Sequence, residues 1–304
     1  MQSFNTTPSV MNELRKEDIQ QAVFDLYDDY AHNRIDRRIF LDKLSTYAVG
    51  GVTMAALMSF ILPNYQTMQT QPNDPRLETS YVTYDSAKGN GTIKGLLARP
   101  KEGKKKLPGI IVVHENRGLN PHIEDIGRRA ALAGFISLSP DALTPLGGYP
   151  GTDDEGRAMQ SKLDRNKILE DFIAAFYHLK EHKQCNGKVG VVGFCFGGWV
   201  SNMMAVRVPE LKAAVPFYGT QPPVEDVPKI KAPLLIHYAG LDTRVNEGWP
   251  KYEAALKENK KTYEAYIYPE VNHGFNNDTT PRFDKAAADL AWSRTIEFFK
   301  KHLS

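Results

Sequence analysis

Three residues far apart in the chain have side chains that could do acyl chemistry together: Cys195, Asp242 and His273. Cys195 lies in Gly193-Phe-Cys-Phe-Gly197, followed by Gly198 and an apolar, helix-compatible run from Trp199 to Val206. Val189, Val191 and Val192 ahead of it read as a short buried strand. Gly-x-Cys-x-Gly at a strand-to-helix turn is the spacing of a strained nucleophile elbow, with cysteine where serine is commoner. The flanking glycines let strand and helix approach, and the helix N-terminus beneath the thiol favours a thiolate. Asp242 follows a strand over Leu234–Tyr238, and His273 follows a strand over Tyr263–Tyr268. The chain order is nucleophile, acid, histidine. In that arrangement Cys195 attacks an acyl carbon, His273 accepts and returns a proton, and Asp242 fixes the imidazole tautomer. The oxyanion would be held by the backbone N–H groups of Phe196 and Asn116, each such donor being worth on the order of 3 kcal/mol in rate.

These positions require a sheet with its carboxyl ends at one rim. Gly109-Ile-Ile-Val-Val-His114 reads as a buried strand, Ile123 to Ala133 as an amphipathic helix and Phe135–Ser139 as the next strand. Ala142 to Arg157 is Gly/Pro-rich and without period, as in a loop near a site. Helices are expected over Ile168–Leu179, Trp249–Asn259 and Phe283–His302, and a strand over Ala213–Phe217. Strands alternating with helices from Gly109 onward predict a mostly parallel sheet flanked by helices on both faces, with ligands bound outside the carboxyl ends of the strands. Two further strands, Tyr81–Tyr84 and Thr92–Ala98, precede it across a Gly-containing turn. Cys185 falls in an expected loop, Lys183 to Gly187, and reads as a bystander thiol.

Residues 1–76 form an expected helical segment and linker, and residues 77–304 the catalytic domain. Residues 1–9 read as a polar, disordered start. A helix is expected from Glu13 to Ala31, and Asp36 can cap a second one beginning at Arg37. The uncharged run Ala48–Leu62 has two readings. With Arg37-Arg38-x-Phe40-Leu41 it resembles a twin-arginine export signal, which would place the protein in the periplasm. Against that, some 36 residues precede the arginine pair, they carry more acid than base, and no A-x-A site follows. The reading preferred is a helical hairpin docked on the main domain or on a second subunit of a homo-oligomer, in a cytoplasmic protein. Asn64 to Arg76, with its Gln, Thr and Pro, reads as the linker.

Of 304 residues, 41% are hydrophobic and 24% charged, values of a globular chain. The net charge of +2 gives no ground for nucleic acid or an anionic membrane as partner. A 15-residue apolar run is short for a membrane span. Two cysteines make no disulfide framework. No zinc-binding His/Cys spacing or phosphate loop is present, so no metal and no cofactor are expected. The expected partner is a small-molecule ester or lactone.

Residues from roughly 80 to 304 resemble the dienelactone hydrolase (carboxymethylenebutenolidase) family of α/β-hydrolases. The resemblance rests on Gly193-Phe-Cys-Phe-Gly-Gly198, Ala239-Gly-Leu-Asp242, Asn272-His-Gly-Phe275 and His114-Glu115. The chain also resembles the subset of that family with an extra N-terminal helical segment. The resemblance implies an α/β-hydrolase fold and a cofactor-free hydrolysis through a thioester. It implies that Glu115 contacts the resting thiol and helps to deprotonate it on substrate binding; the bland alternative is a structural Glu115–Arg117 pair. It further implies two arginines gripping a substrate carboxylate. Here the pattern departs: Asn277 stands four residues after the histidine, where the family has arginine. Arg282, Arg157 and Arg117 are the substitutes within reach, and Tyr149 is a candidate wall of the pocket. A reading from another class, a thiol-based redox or binding protein on the same fold, would need neither His273 nor Asp242.

Overall fold

The computed structural model describes residues 14–304 apart from 16, 18, 50, 51, 67, 104 and 105. The expected polar start at residues 1–9 lies outside the described residues, as does the beginning of the first expected helix. The chain divides into two compact units, Met1–Pro63 and Asn64–Ser304.

In the first unit, helices α1 (Gln21–Ala31), α2 (Arg37–Ser45) and α3 (Met54–Ile61) close on a small apolar core. Val23, Tyr27 and Tyr30 of α1 meet Phe40 and Leu44 of α2 and Leu57 of α3. The Tyr30 and Phe40 rings stack at 4.4 Å. Asp36 caps α2 as expected, its carboxylate accepting from the Ile39 amide at 2.8 Å. The apolar run Ala48–Leu62 is helical only from Met54, where the Thr53 hydroxyl caps the first turn. Among the described residues no helix is long and apolar enough to cross a membrane.

The second unit begins earlier than the expected boundary at residue 77. Residues 64–76 behave as part of it because their polar groups are spent on it. The amides of Gln69 and Thr70 donate to the two oxygens of the buried Asp125 at 2.9 Å each, and the Tyr65 hydroxyl donates to Asp153 at 2.7 Å.

The strands are β1 (Leu77–Ser86), β2 (Gly91–Pro100), β3 (Leu107–Val113), β4 (Ile136–Pro140), β5 (Cys185–Phe194), β6 (Ala213–Phe217), β7 (Leu234–Ala239) and β8 (Tyr263–Tyr268). They form one sheet in the order β1-β2-β4-β3-β5-β6-β7-β8. The hairpin β1–β2 is antiparallel and joins β4 antiparallel; every later pairing is parallel. This is the doubly covered α/β-hydrolase sheet. In β3 successive residues serve opposite faces. Ile110 and Val112 pack with Ile123 and Ile126 of α4 (Pro121–Leu132) and Phe299 of α10 (Lys285–Leu303). Ile111 and Val113 pack with Phe172 and Phe176 of α6 (Arg165–Glu181) and Val200 and Met204 of α7 (Phe196–Arg207). Near-continuous apolar strands are what burial on both faces demands.

Two expected loops are different. Residues 142–157 contain a 3-10 turn (Thr144–Leu146) and the first half of helix α5 (Asp153–Gln160). The Thr152 hydroxyl caps α5 at the Glu155 amide, and three acids, Asp153, Asp154 and Glu155, fill its first turn. No apolar period announces so short and polar a helix. Cys185 is not in a loop; it opens β5 and is 3% exposed, its partner in register being Leu107.

Candidate active site

The elbow is a packing problem that only glycine solves. A Cβ on Gly193 would fall 2.0 Å from the Gly197 carbonyl oxygen, one on Gly197 2.4 Å from that of Val113, and one on Gly198 2.6 Å from that of Phe217. With β3, β5 and β6 so close, Cys195 is left at φ 56, ψ −112, a conformation that a side-chain-bearing residue rarely adopts. Its amide donates to the Phe217 carbonyl at 3.0 Å, and its carbonyl accepts from Gly198 and Trp199. The residue thus stands at the N-cap of α7, its backbone anchored on both sides.

Asp242 follows β7 and caps the short helix α8 (Thr243–Asn246), accepting from the Val245 amide at 3.2 Å. That bond uses Oδ1 and leaves Oδ2 to face His273 Nδ1 at 2.6 Å. His273 therefore donates through Nδ1 and keeps Nε2 as its acceptor. A ring nitrogen of His273 and the Cys195 Sγ lie within 4.8 Å of one another. The three side chains named from separate strands converge at one rim, each under a tenth exposed. Arg244 stands beside them, 3.3 Å from His273 Nδ1 and 3.9 Å from Asp242. Such an arrangement is chemically able to ionise a thiol and to carry its proton.

Phe196 opens α7, where the helix offers its amide no intrahelical acceptor. Asn116 lies, half-buried, in the turn after β3. That turn is held by His114, whose Nδ1 donates to the Glu115 carbonyl at 2.5 Å while Nε2 accepts from the Ala142 amide at 3.2 Å. Burial pushes the His114 imidazole below its usual range, so the neutral tautomer that both bonds need is the one favoured. Asp141 ties the same loops together, accepting from the amides of Leu119, Leu143 and Tyr149.

Glu115 is 1% exposed. Its carboxylate faces Arg117 at 3.5 Å and accepts from the Asn277 side chain at 3.3 Å. Burial pushes the carboxyl up, but Arg117, His122 and Arg282 outweigh it, and the net shift is downward. Asn277, where the family pattern has arginine, thus still addresses this glutamate. Arg117 also donates to Asp153 at 2.7 Å. Arg282 is 3% exposed, with its guanidinium against Gly274. Arg157 pairs with Asp154 at 3.2 Å. The three arginines put forward from sequence thus stand among ionic partners or in the interior. Tyr149 donates to Asp153 at 3.0 Å and lines a cavity of about 320 Å³ with Tyr81, Lys94, Glu124 and Asp141; Cys195 is not among its walls. His237, buried within β7, lies 3.1 Å from the Thr295 hydroxyl and 3.0 Å from that of Tyr268, and burial pulls its pKa down to about 3.

Two residues near Cys195 escaped the sequence reading. Arg165, at the start of α6, lies 3.5 Å above the Trp199 ring and 5.8 Å from that of Phe196. Burial lowers its pKa and the Cys195 charge raises it; among the described residues no carboxylate pairs with it. Tyr218 follows β6 at φ 36, 1% exposed, its ring 4.9 Å from that of His273. A Tyr-Gly pair after a buried strand was the one available signal for it.

The chain is similar in sequence and fold to known proteins. A model described as the dienelactone hydrolase family matches residues 93–303, and one described as YqhI-like matches residues 11–50. A protein of Saccharolobus solfataricus, provisionally named a carboxymethylenebutenolidase, is 31% identical over 256 residues, 72% of this chain and 97% of its own. An Escherichia coli K12 protein, provisionally named the hydrolase fragment YghX, is 47% identical over 114 residues, 37% of this chain and 97% of its own. A crystal structure from Klebsiella pneumoniae, provisionally titled a dienelactone hydrolase, superposes with a TM-score of 0.64 at 26% identity, over 73% of this chain and 99% of that one. The dienelactone hydrolase-like promiscuous phosphotriesterase P91, from metagenomic libraries, superposes at 0.65 with 22% identity, over 75% and 100%.

Proposed function

Because the chain belongs to the dienelactone hydrolase family, we propose that it hydrolyses a small ester or lactone through a thioester on Cys195. His273 takes the thiol proton, and the Cys195 sulfur attacks the acyl carbon. The carbonyl electron pair moves onto oxygen, where the amides of Phe196 and Asn116 hold it. As the tetrahedral centre collapses, the bond to the leaving oxygen breaks and His273 returns the proton to that oxygen. Water then attacks the thioester with His273 as base, the C–S bond breaks, and acid and thiol are restored. Asp242 holds the imidazole and stabilises its charged form.

A free thiol is mostly protonated at neutral pH. We assign to Glu115 a share in removing that proton when substrate binding disturbs its contacts with Arg117 and Asn277. The observation that carries the reading is the His273 ring, within 4.8 Å of Cys195 Sγ and bonded to Asp242 at 2.6 Å. Arg165, a cation stacked on Trp199 beside the nucleophile, favours substrates that bear a carboxylate.

The test is turnover of p-nitrophenyl acetate beside a panel of acidic lactones and neutral esters. Wild type should turn these over, prefer the acidic lactones, and form a covalent acyl adduct on Cys195 visible by intact mass. Cys195→Ala should lose at least about 10³-fold in kcat/KM with its melting temperature unchanged. Undiminished activity in that variant would remove the assigned nucleophile.

A further inference from the structure

Tyr218 is held in an unfavourable backbone conformation and carries a polar atom that the resting protein does not use. Its φ of 36 lies in the left-handed region, which costs a non-glycine residue on the order of 1–3 kcal/mol. The cause is local. Its amide donates to the His237 carbonyl at 2.7 Å, while the next residue, Gly219, is wedged against Gly198 so closely that a Cβ there would sit 2.3 Å from the Gly198 carbonyl carbon. The same contact that shapes the elbow therefore turns Tyr218 inward. Its ring stands 4.9 Å from that of His273 and 5.6 Å from that of Phe275. Its hydroxyl is buried without a hydrogen-bond partner among the described residues, in the field of Glu115, Cys195, Arg282 and Arg117. An unsatisfied buried hydroxyl destabilises a fold by about 1–3 kcal/mol. Strain and an unused donor on one residue, with the His273 ring beside it and Cys195 near enough to act on its hydroxyl, mark a group whose partner arrives with the substrate.

We propose that the Tyr218 hydroxyl donates a hydrogen bond to the leaving-group oxygen of the ester or lactone, on the His273 side of the reacting carbon. This rests on the hydrolytic reading above. The two amides assigned to the carbonyl oxygen lie at the start of α7 and after β3; Tyr218 lies after β6, against the imidazole that must protonate the departing oxygen. As the acyl C–O bond breaks, its electron pair passes to that oxygen, the proton comes from His273, and Tyr218 shares its hydrogen without releasing it. Burial first, then Glu115 and Cys195, hold its pKa well above the usual phenol value, so the hydroxyl stays a donor throughout. Its contribution grows with the charge on the leaving oxygen, and so with the basicity of the leaving group.

Full-length wild type and Tyr218→Phe are compared over a series of aryl acetates of rising leaving-group pKa, with kcat/KM and melting temperature measured for each protein. The expected result is a loss of about 10-fold with the best leaving group, growing to about 100-fold with the poorest. The melting temperature should be equal or higher, since an unsatisfied hydroxyl has been removed. Equal slopes for the two proteins, or a melting temperature several degrees lower with a uniform loss of rate, would assign the hydroxyl to the fold and overturn the proposal. Should wild type itself fail on every ester, the hydrolytic reading falls and takes this one with it; an active wild type with an unaffected Phe variant removes the Tyr218 role alone.

Discussion

At the elbow, Gly193, Gly197 and Gly198 leave no space for a side chain, and the place of Cys195 follows from backbone contacts with β3 and β6. Around Glu115, a few residues further along the same rim, position follows from charge. Arg117 with His122, Asp153, and Asn277 with Arg282 come from three separate stretches of the chain and meet only in the finished fold. The first region is stiff because sterics permit one arrangement. The second stays ordered because each buried charge has a counter-charge, and removing one leaves the others uncompensated. Under the mechanism proposed above, a site that must hold Cys195 still while Glu115 changes partners gains from having both kinds of construction side by side.

Breaking the steric half should cost most. Gly197→Ala places a Cβ within 2.4 Å of the Val113 carbonyl and 2.7 Å of the His114 carbonyl. Backbone must move, so we expect a loss of about 3 kcal/mol or more in urea unfolding together with the near-complete loss of esterase turnover. Stability and rate should fall as one.

Breaking the ionic half should separate the two. Glu115→Gln keeps the shape and the bond to Asn277 but removes one of the two counter-charges of Arg117, leaving Asp153. We expect a loss of about 2 kcal/mol and about a 10- to 100-fold fall in kcat/KM, with the rate of alkylation of Cys195 at neutral pH reduced in parallel. A rate of turnover equal to wild type would leave Glu115 a purely structural partner.

The smallest effect sharpens the comparison through acid. Glu115 and Asp153 are shifted below their usual range, burial raising each and the surrounding cations, with the tyrosine hydroxyls at Asp153, outweighing it. Asp278 is drawn down to about 2 by His122 and Arg129 against a desolvation that raises it. A carboxylate whose folded pKa is depressed contributes stability above its unfolded pKa and loses it as pH falls through the folded value. For Asp278 the window runs from about 4 down to about 2, and screening at its partly open side limits the contribution to about 1 kcal/mol. Asp278→Asn should therefore be less stable than wild type at neutral pH and should converge with it toward pH 2.

The two halves were also unequally legible. Cys195, Asp242 and His273 could be named because each follows a strand whose apolar run is visible locally, and the sheet does the rest. His273 needs no knowledge of loop shape to be placed beside Cys195. The arginines could not be ranked, since whether Arg117 faces Asp153 or solvent depends on helix α5, whose acidic first turn carries no period. Arg165 gave no local sign at all; its position beside the thiol comes from Trp199, one turn into α7, reaching back under it. The mostly parallel sheet, the strand pair joined by a turn at its start and the helices on both faces follow from alternation and strand burial. The short polar elements, the true start of the second unit at Asn64 and the strand position of Cys185 do not, because they are decided by partners distant in sequence.

The glycine cage around residue 195 constrains where its Cβ points and is indifferent to the element attached beyond it. Replacing sulfur by oxygen there would demand no rearrangement of the scaffold, yet under the mechanism proposed above it would exchange a soft, readily ionised attacker for a hard one wholly dependent on the imidazole. On that reading the mount and the reagent are separable, and the attacking atom is a matter of one side chain's acidity rather than of architecture.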